Sequence, residues 1–469
     1  MKKIFFIAGV LFLAQPFLAQ GIEVGCNMTV SGYLKNATAV KTHDDSGEFL
    51  KIRSTVQVEA EYRLSENLHV FGSIREFYDS VFDAEKEYRE NRHLLCKPRG
   101  TDWLRELYLD YYSSALDLRI GKQQVVWGTT VGMKILDIVN PDDQREYVLE
   151  DFADSRFALW MLKAEWSPKV DGTLQFLFIP DFKNNFIAPA GSPFTYRAVT
   201  LGAERMQALE QLGYHFHEDK IRPGRSFENS KIGLRWLDVY KGFEYSLNWL
   251  HGYEYSTYKE SAGVILPRTV IPGLPGLPPW GSTLLLESKH AQVEHWGGSF
   301  TKTFASGTLR GLTTRGEFVY THGHKNGYGT DGKQVGVAKV DMWKSAFVLE
   351  RYVVTNWLVE FQYIMMGLTR EREKGYRFLL GPTQGVMDQV ETYVTLMVST
   401  DFFHERLKAK TLVVYGDNYD WRISPRLDFE VTDKINVAFG GHLFYGHKDG
   451  LNGEFRDNDE VFTEIRFGF

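Results

Sequence analysis

Residues 458–469 alternate with period two. Val461, Thr463, Ile465, Phe467 and Phe469 share one face of an extended strand, and Phe462, Glu464, Arg466 and Gly468 share the other. Successive side chains of a strand point to opposite faces, so one face here suits hydrocarbon and the other suits water. The same rhythm recurs upstream. Ile52, Ser54, Val56, Val58, Ala60 and Tyr62 oppose Arg53, Thr55, Gln57, Glu59, Glu61 and Arg63, and Ile435, Val437, Phe439, Gly441, Leu443 and Tyr445 alternate with small or polar residues. At Trp357, Val359, Phe361 and Tyr363 the pattern is less tidy, because Leu358 and Ile364 interrupt the polar face. Such strands fit either a half-buried sheet of a soluble domain or the wall of a membrane barrel.

The other end of the chain separates these. Lys2 and Lys3 precede an apolar run from Ile4 to Ala14, too short for a spanning helix and read as a signal peptide over 1–20. Glu23-Val24-Gly25 is a poor lipobox for Cys26. Beyond Gln20 no apolar stretch is long enough to cross a bilayer, and the mean hydropathy is -0.29. Aromatic residues make up 14% of the chain, with 43 Gly and only two Cys, which favours many strands and tight turns over a disulfide framework. Nothing in the spacing of Cys26 and Cys96 says that they pair. Acidic residues (60) outnumber basic ones (54), and the leader would take two lysines with it, which argues against nucleic acid as a partner.

Eighteen alternating segments run from 26–36 to 458–469, among them 115–127 and 288–305. The expectation is one all-β domain over 21–469, a transmembrane antiparallel β-barrel of about 18 strands, or 16 if neighbours merge. Short connections such as Ser65-Glu66, Ser113-Ser114, Ser306-Gly307, Thr355 and Asp433-Lys434 take turns with long ones at 37–49, 79–102, 128–156, 181–229, 257–287, 323–338 and 370–385. Short periplasmic turns and long extracellular loops are the barrel pattern. Hydrocarbon offers backbone groups no partner, so the sheet must close, leaving a lumen that is aqueous unless loops fold into it.

Within 104–162, four strings occur in order: Arg105-Glu106-Leu107-Tyr108, Leu118-Arg119-Ile120-Gly121-Lys122-Gln123-Gln124-Val125-Val126-Trp127-Gly128, Asp137-Ile138-Val139-Asn140-Pro141 and Asp151-Phe152-Ala153-Asp154-Ser155-Arg156. This segment resembles a domain-of-unknown-function family of proteobacterial outer-membrane barrels. More distantly, its LRxGxQ strand is similar to strands of phosphate-selective and alginate-export porins. The resemblance implies the barrel and, by association, handling of hydrophobic compounds, without fixing a substrate.

Alternation puts Arg53, Glu59, Glu61, Arg63, Glu106, Asp110, Asp117 and Arg119 on the expected lumen wall, with Leu107, Leu109 and Tyr111 outward. The loop at 128–156 is rich in charge and turns at Asn140-Pro141-Asp142. If it folds into the lumen, Asp137, Asn140, Asp142, Asp143, Arg145, Glu146, Asp154 and Arg156 form a constriction, since rings of charge select ions and polar solutes. The other reading is that its ion pairs hold its own shape against the wall. Met206, Leu209 and Leu212 recur at helical spacing within 203–212. Residues 263–281 are proline-rich and almost uncharged. Ile265, Leu266, Val270, Ile271, Leu274, Leu277 and Trp280 make either an apolar lip for lipid-like molecules or a strip packed over neighbouring loops.

His215 with His217, and His322 with His324, lack a third ligand nearby, and no carboxylate spacing matches a calcium loop, so no metal or other cofactor is expected. A nucleophile elbow, a zincin helix and a phosphate-cradling loop are all missing, so the chain is not read as an enzyme. The leading expectation is an outer-membrane channel passing small molecules, hydrophobic ones included, by diffusion through a loop-constricted barrel. The alternatives are a general wet porin or, from other classes, a lipid-active outer-membrane enzyme or a structural or adhesive barrel. Expected partners are outer-membrane lipid, a small-molecule cargo, and the barrel assembly machinery through the strand ending in Phe469.

Overall fold

A computed structural model describes residues 21–469 apart from 26, 44–46, 170, 225, 267–272, 274–277, 331–332, 370–376, 380–385, 388–389 and 449. The expected signal peptide lies outside the described residues, as do Cys26, Val270, Ile271, Leu274 and Leu277. Among the described residues no helix is long and apolar enough to cross a membrane. Eighteen strands do that work.

They run in chain order as β1 (Met28–Lys41), β2 (Phe49–Ser65), β3 (Leu68–Asp79), β4 (Leu104–Tyr112), β5 (Leu116–Gln123), β6 (Leu159–Lys169), β7 (Gly172–Ile179), β8 (Lys231–Tyr240) and β9 (Phe243–Tyr253). The second half comprises β10 (Gln292–Thr303), β11 (Leu312–His322), β12 (Met342–Val354), β13 (Trp357–Leu368), β14 (Val390–Phe402), β15 (Leu407–Gly416), β16 (Asp420–Thr432), β17 (Ile435–Tyr445) and β18 (Glu460–Gly468). Each pairs antiparallel with its neighbours in sequence, and β1 pairs with β18 from Tyr33↔Gly468 to Lys41↔Glu460, closing the barrel without a free edge. Phe469 completes the seam: its N–H donates to the Gly32 carbonyl and Gly32 N–H donates back, both at 3.0 Å. A Cβ on Gly32 would lie 2.7 Å from the Phe469 ring and 2.4 Å from the Gln57 carbonyl, so only glycine lets the terminal ring seat here.

The faces follow the alternation. Phe439, Leu443, Ile465 and Phe467 are 42–55% exposed and form, with Leu107, Leu109, Val56 and Phe361, an outer apolar belt. Arg53, Thr55, Gln57, Asp110 and Glu360 point inward and are buried. In the untidy strand β13, Leu358 and Ile364 do point inward, and Ile364 joins an apolar core inside the barrel.

Two expectations need correcting. The strand expected at 115–127 ends at Gln123. Gly121 sits at φ +143°, where a Cβ would lie 2.2 Å from the Leu107 carbonyl, and from Gln124 the chain leaves the wall. The strand expected at 288–305 is two strands. Thr283–Lys289 belongs to a small sheet with Tyr258–Ile265 and His215–Lys220, and β10 begins only at Gln292. Between them His290 Nδ1 donates to the carbonyls of Glu254 and Ser256, both at 2.9 Å, which fixes the break. The 203–212 helical pattern falls in a helix, Arg197–Gln211, with Leu212 as its C-cap.

Candidate functional site, a loop folded into the lumen

The connection between β5 and β6, residues 124–158, crosses the barrel interior. Asn140 forms its corner: its Oδ1 accepts the Val125 N–H at 2.8 Å and its Nδ2 donates to the Phe157 carbonyl at 2.8 Å. One arm is apolar. Trp127, Ile135, Leu136 and Val139 are fully buried against Leu159, Leu177, Leu250, Val319 and Ile364 of the wall. Burial of this kind stabilises by about 1.5–3 kcal/mol per large side chain. Polar groups of the wall meet this arm: Trp127 Nε1 donates to Gln175 Oε1 at 2.7 Å, and the Gln362 amide exchanges bonds with the backbone of Val131. At the tip Glu317 of β11 accepts the Leu136 N–H at 3.0 Å, the Thr129 hydroxyl at 2.7 Å and the Thr129 N–H.

The other arm is charged and faces a basic wall. Arg53 of β2 pairs with Asp79 at 3.1 Å, with Glu150 at 2.8 Å and with Glu146, which also holds Lys51. Asp154 joins Arg75 of β3 at 2.7 Å and Arg105 of β4 at 3.2 Å. Three pairs stay inside the loop: Asp137–Arg156 at 2.6 Å, Asp143–Arg145 at 2.6 Å and Lys134–Asp142. Tyr147 adopts φ 56°, uncommon for a non-glycine residue. Its OH donates to Asn452 Oδ1 at 3.0 Å and its ring packs 4.6 Å from that of Phe455, within a second apolar cluster of Val81, Phe82, Phe194, Tyr196 and Phe444 at the loop end of the barrel. The 180–230 loop enters beside it, Phe186–Ile187 pairing in parallel with Asp143–Gln144. Cys96 is buried in the same cluster.

The expected site residues thus fall into separate places. Asp143, Arg145, Glu146, Asp154 and Arg156 lie where the loop meets the basic wall, and Asn140 is structural. Of the wall residues, Arg53 touches the loop, and Glu106 caps the Gln124 N–H at 2.8 Å. Asp110 and Arg119 pair with each other at 2.6 Å. Glu59, Glu61, Arg63 and Asp117 sit in the turn-side half, where the loop does not reach and Glu61 is 51% exposed, with His69 3.3 Å away. At the mouth, Ile265 and Leu266 are 56% exposed, whereas Trp280 stacks on Tyr214 with centroids 5.5 Å apart. The histidines turn to carboxylates, His324 to Glu254 at 2.8 Å and His322 to Asp341 at 3.0 Å, and no metal-binding group of three occurs among the described residues.

Sequence reading missed Lys51, Arg75, Arg105, Glu317 and Gln362. All but Arg105 occupy inward positions of alternating strands, which was the available signal. Arg105 turns in because the β3–β4 register shifts between Ser73 and Ile74.

A small cavity of about 70 Å³ remains between the charged arm and strands β2–β5, bounded by Arg53, Arg75, Phe77, Leu104, Lys122, Arg145, Phe157 and Lys183 among others.

Residues 36–469 match the model of the family described as Protein of unknown function (DUF1302). The chain belongs to this family. No curated protein sequence matches this DUF1302 barrel. Among solved structures it is similar to Acinetobacter baumannii OccAB4, with a TM-score of 0.51 and 9% identity over 97% of this chain and 99% of that one. Pseudomonas aeruginosa OccK5 (OpdH) is similar with a TM-score of 0.50 and 9% identity, over 94% and 97% of the two chains. At such identity the likeness is one of fold. A closed eighteen-stranded wall with an outer apolar belt belongs in the outer membrane of a Gram-negative cell.

Proposed function

We propose that this DUF1302 barrel is a passive channel for small molecules, hydrophobic ones included, and that loop 124–158 is its selective element. The observation that carries the reading is how the loop is held. Side-chain bonds and apolar packing fix it to the wall, while no strand of it joins the barrel sheet, so moving it aside for solute would leave the wall unbroken. Charged residues on both the loop and the turn-side wall suit a wet path. The exposed Ile265 and Leu266 at the outer rim suit apolar cargo. On this reading the chain is not an enzyme, and Phe469 presents the barrel to the assembly machinery.

Conductance of the refolded full chain in a planar lipid bilayer tests it. Stable ohmic steps are expected, with ion selectivity shifted by Asp142→Asn and Asp143→Asn. Silence from a protein shown to be folded and inserted overturns passive diffusion. Deleting residues 264–280 is expected to lower hydrophobic-solute uptake and leave ion conductance in place. Unchanged uptake removes the apolar-capture part and leaves a general wet porin.

A further inference from the structure

We propose that the cavity between the loop and strands β2–β5 binds the carboxylate end of a small amphipathic acid. The proposal deepens the channel reading by naming a cargo class, but the binding itself requires no transport. The lining holds seven cations, Arg53, Arg75, Arg105, Lys122, Arg145, Arg156 and Lys183, against four carboxylates, Asp102, Asp143, Glu150 and Asp154. Arg53 pairs with Glu150 and, behind the lining, with Asp79 and with Glu146, which Lys51 also holds; Arg156 pairs with Asp137. Of the other five cations, Lys183 pairs with Asp102 and Arg145 with Asp143, while Arg75 and Arg105 share Asp154. Lys122 reaches no carboxylate; its ammonium donates to the carbonyls of Thr101 at 3.1 Å and Leu104 at 2.5 Å.

Arg75 Nε and Arg145 Nη1, on residues of the lining, are buried donors with no acceptor. An orphaned charged donor is costly, and an oxyanion drawn in between these two side chains, with a small shift of each, supplies one acceptor to one N–H of each guanidinium. The remaining walls are apolar. Phe77 lies between Arg53 at 4.8 Å and Arg145 at 5.1 Å, Lys183 stands 3.4 Å over Phe157, and Pro98, Leu104 and Ala158 add apolar surface beside Ser155. A fully hydrated inorganic anion has no use for those walls, whereas a carboxylate with an apolar stub matches both halves. At about 30 Å³ per water in the liquid, the volume holds roughly two waters, the room a carboxylate headgroup needs, with the tail left to follow the opening. Solvent reaches the site, since Lys183 is 29% and Asp154 18% exposed.

Isothermal titration calorimetry of the refolded full chain with sodium butyrate, n-butanol and sodium phosphate tests the assignment. Expected are saturable binding of one butyrate per chain, butanol at least tenfold weaker, and a tenfold or larger loss for butyrate in both Arg145→Gln and Lys183→Met. The partly exposed Lys183 provides a variant that folds even if loss of the buried Arg145 does not. Butyrate no tighter than butanol, unchanged binding in Lys183→Met, or phosphate tenfold tighter than butyrate each overturns the proposal. Butyrate binding with no bilayer conductance leaves this site standing and fells the channel reading. Conductance without butyrate binding does the reverse.

Discussion

Glu317 Oε2 accepts the backbone N–H of Leu136 at 3.0 Å, joining residues 181 apart in the chain. The same carboxylate takes the Thr129 N–H, so one wall side chain caps both ends of the loop's apolar tip. Glu317→Ala takes the acceptor from three donors, the Leu136 and Thr129 N–H groups and the Thr129 hydroxyl, at about 1–3 kcal/mol for each that stays out of water. Hydrogen exchange of the Thr129 and Leu136 amides is expected to accelerate at least tenfold while the β-strand amides stay protected. Equal protection in variant and wild type would show that apolar packing alone holds the tip.

Arg53 is 7% exposed and pairs with three carboxylates. Arg53→Met leaves Asp79 and Glu150 without it and Glu146 with Lys51 alone, at a cost of about 3–5 kcal/mol. The Arg92–Asp83 pair, with side chains 49% and 44% exposed, is solvated, and Arg92→Ala is expected to leave stability almost unchanged. Urea unfolding of the two refolded variants is expected to separate them clearly. Similar midpoints would mean that water reaches Arg53.

His324 lies just beyond β11, its Nδ1 between the two oxygens of Glu254 at 2.8 and 2.9 Å. Burial works against the imidazolium, but Glu254 outweighs it and raises the histidine above its usual 6.5, with Lys344 opposing. For Glu254, burial is outweighed by His324, His295 and Lys231, which lower its value. A raised histidine contributes stability that is complete below 6.5 and is lost as pH climbs through its folded value. A lowered glutamate loses its share as pH falls through its own folded value. The pair is therefore expected to hold the 323–341 loop in mildly acidic solution and loosen it in alkaline solution. NMR titration should place His324 above 6.5, and Glu254→Gln should drop it below. A normal value in the wild type would refute the pairing.

Phe439 is 55% exposed near the middle of β17. If that exposure is to lipid, Phe439→Arg costs about 2–4 kcal/mol and Phe439→Leu far less. The folded fraction after insertion into lipid vesicles measures this, and equal yields for the two variants would contradict the lipid-facing assignment.

The wall was legible because alternation is local. Each of Val56, Leu107, Phe439 and Phe467 reports its face through its immediate neighbours, and the loop at 128–156 announced itself by charge in a long connection. The partners of that loop were not legible. Nothing near Arg53 in the sequence points to Glu146 or Glu150, and Leu136 gives no hint of Glu317. Ile364 and Leu358 looked like flaws in a strand, yet Ile364 is inward because the loop brings an apolar arm into what is otherwise a polar space.

By itself, then, the sequence determined which side chains of each strand face lipid and that the sheet must close, since hydrocarbon tolerates no unpaired backbone. Only the tertiary structure decided that the loop's carboxylates meet a wall of arginines and leave a basic, aromatic-flanked cavity behind them. The reason is physical: a strand's period is set by bonds between adjacent residues, whereas ion pairs and cavities depend on distances that exist only after eighteen strands have closed around the loop.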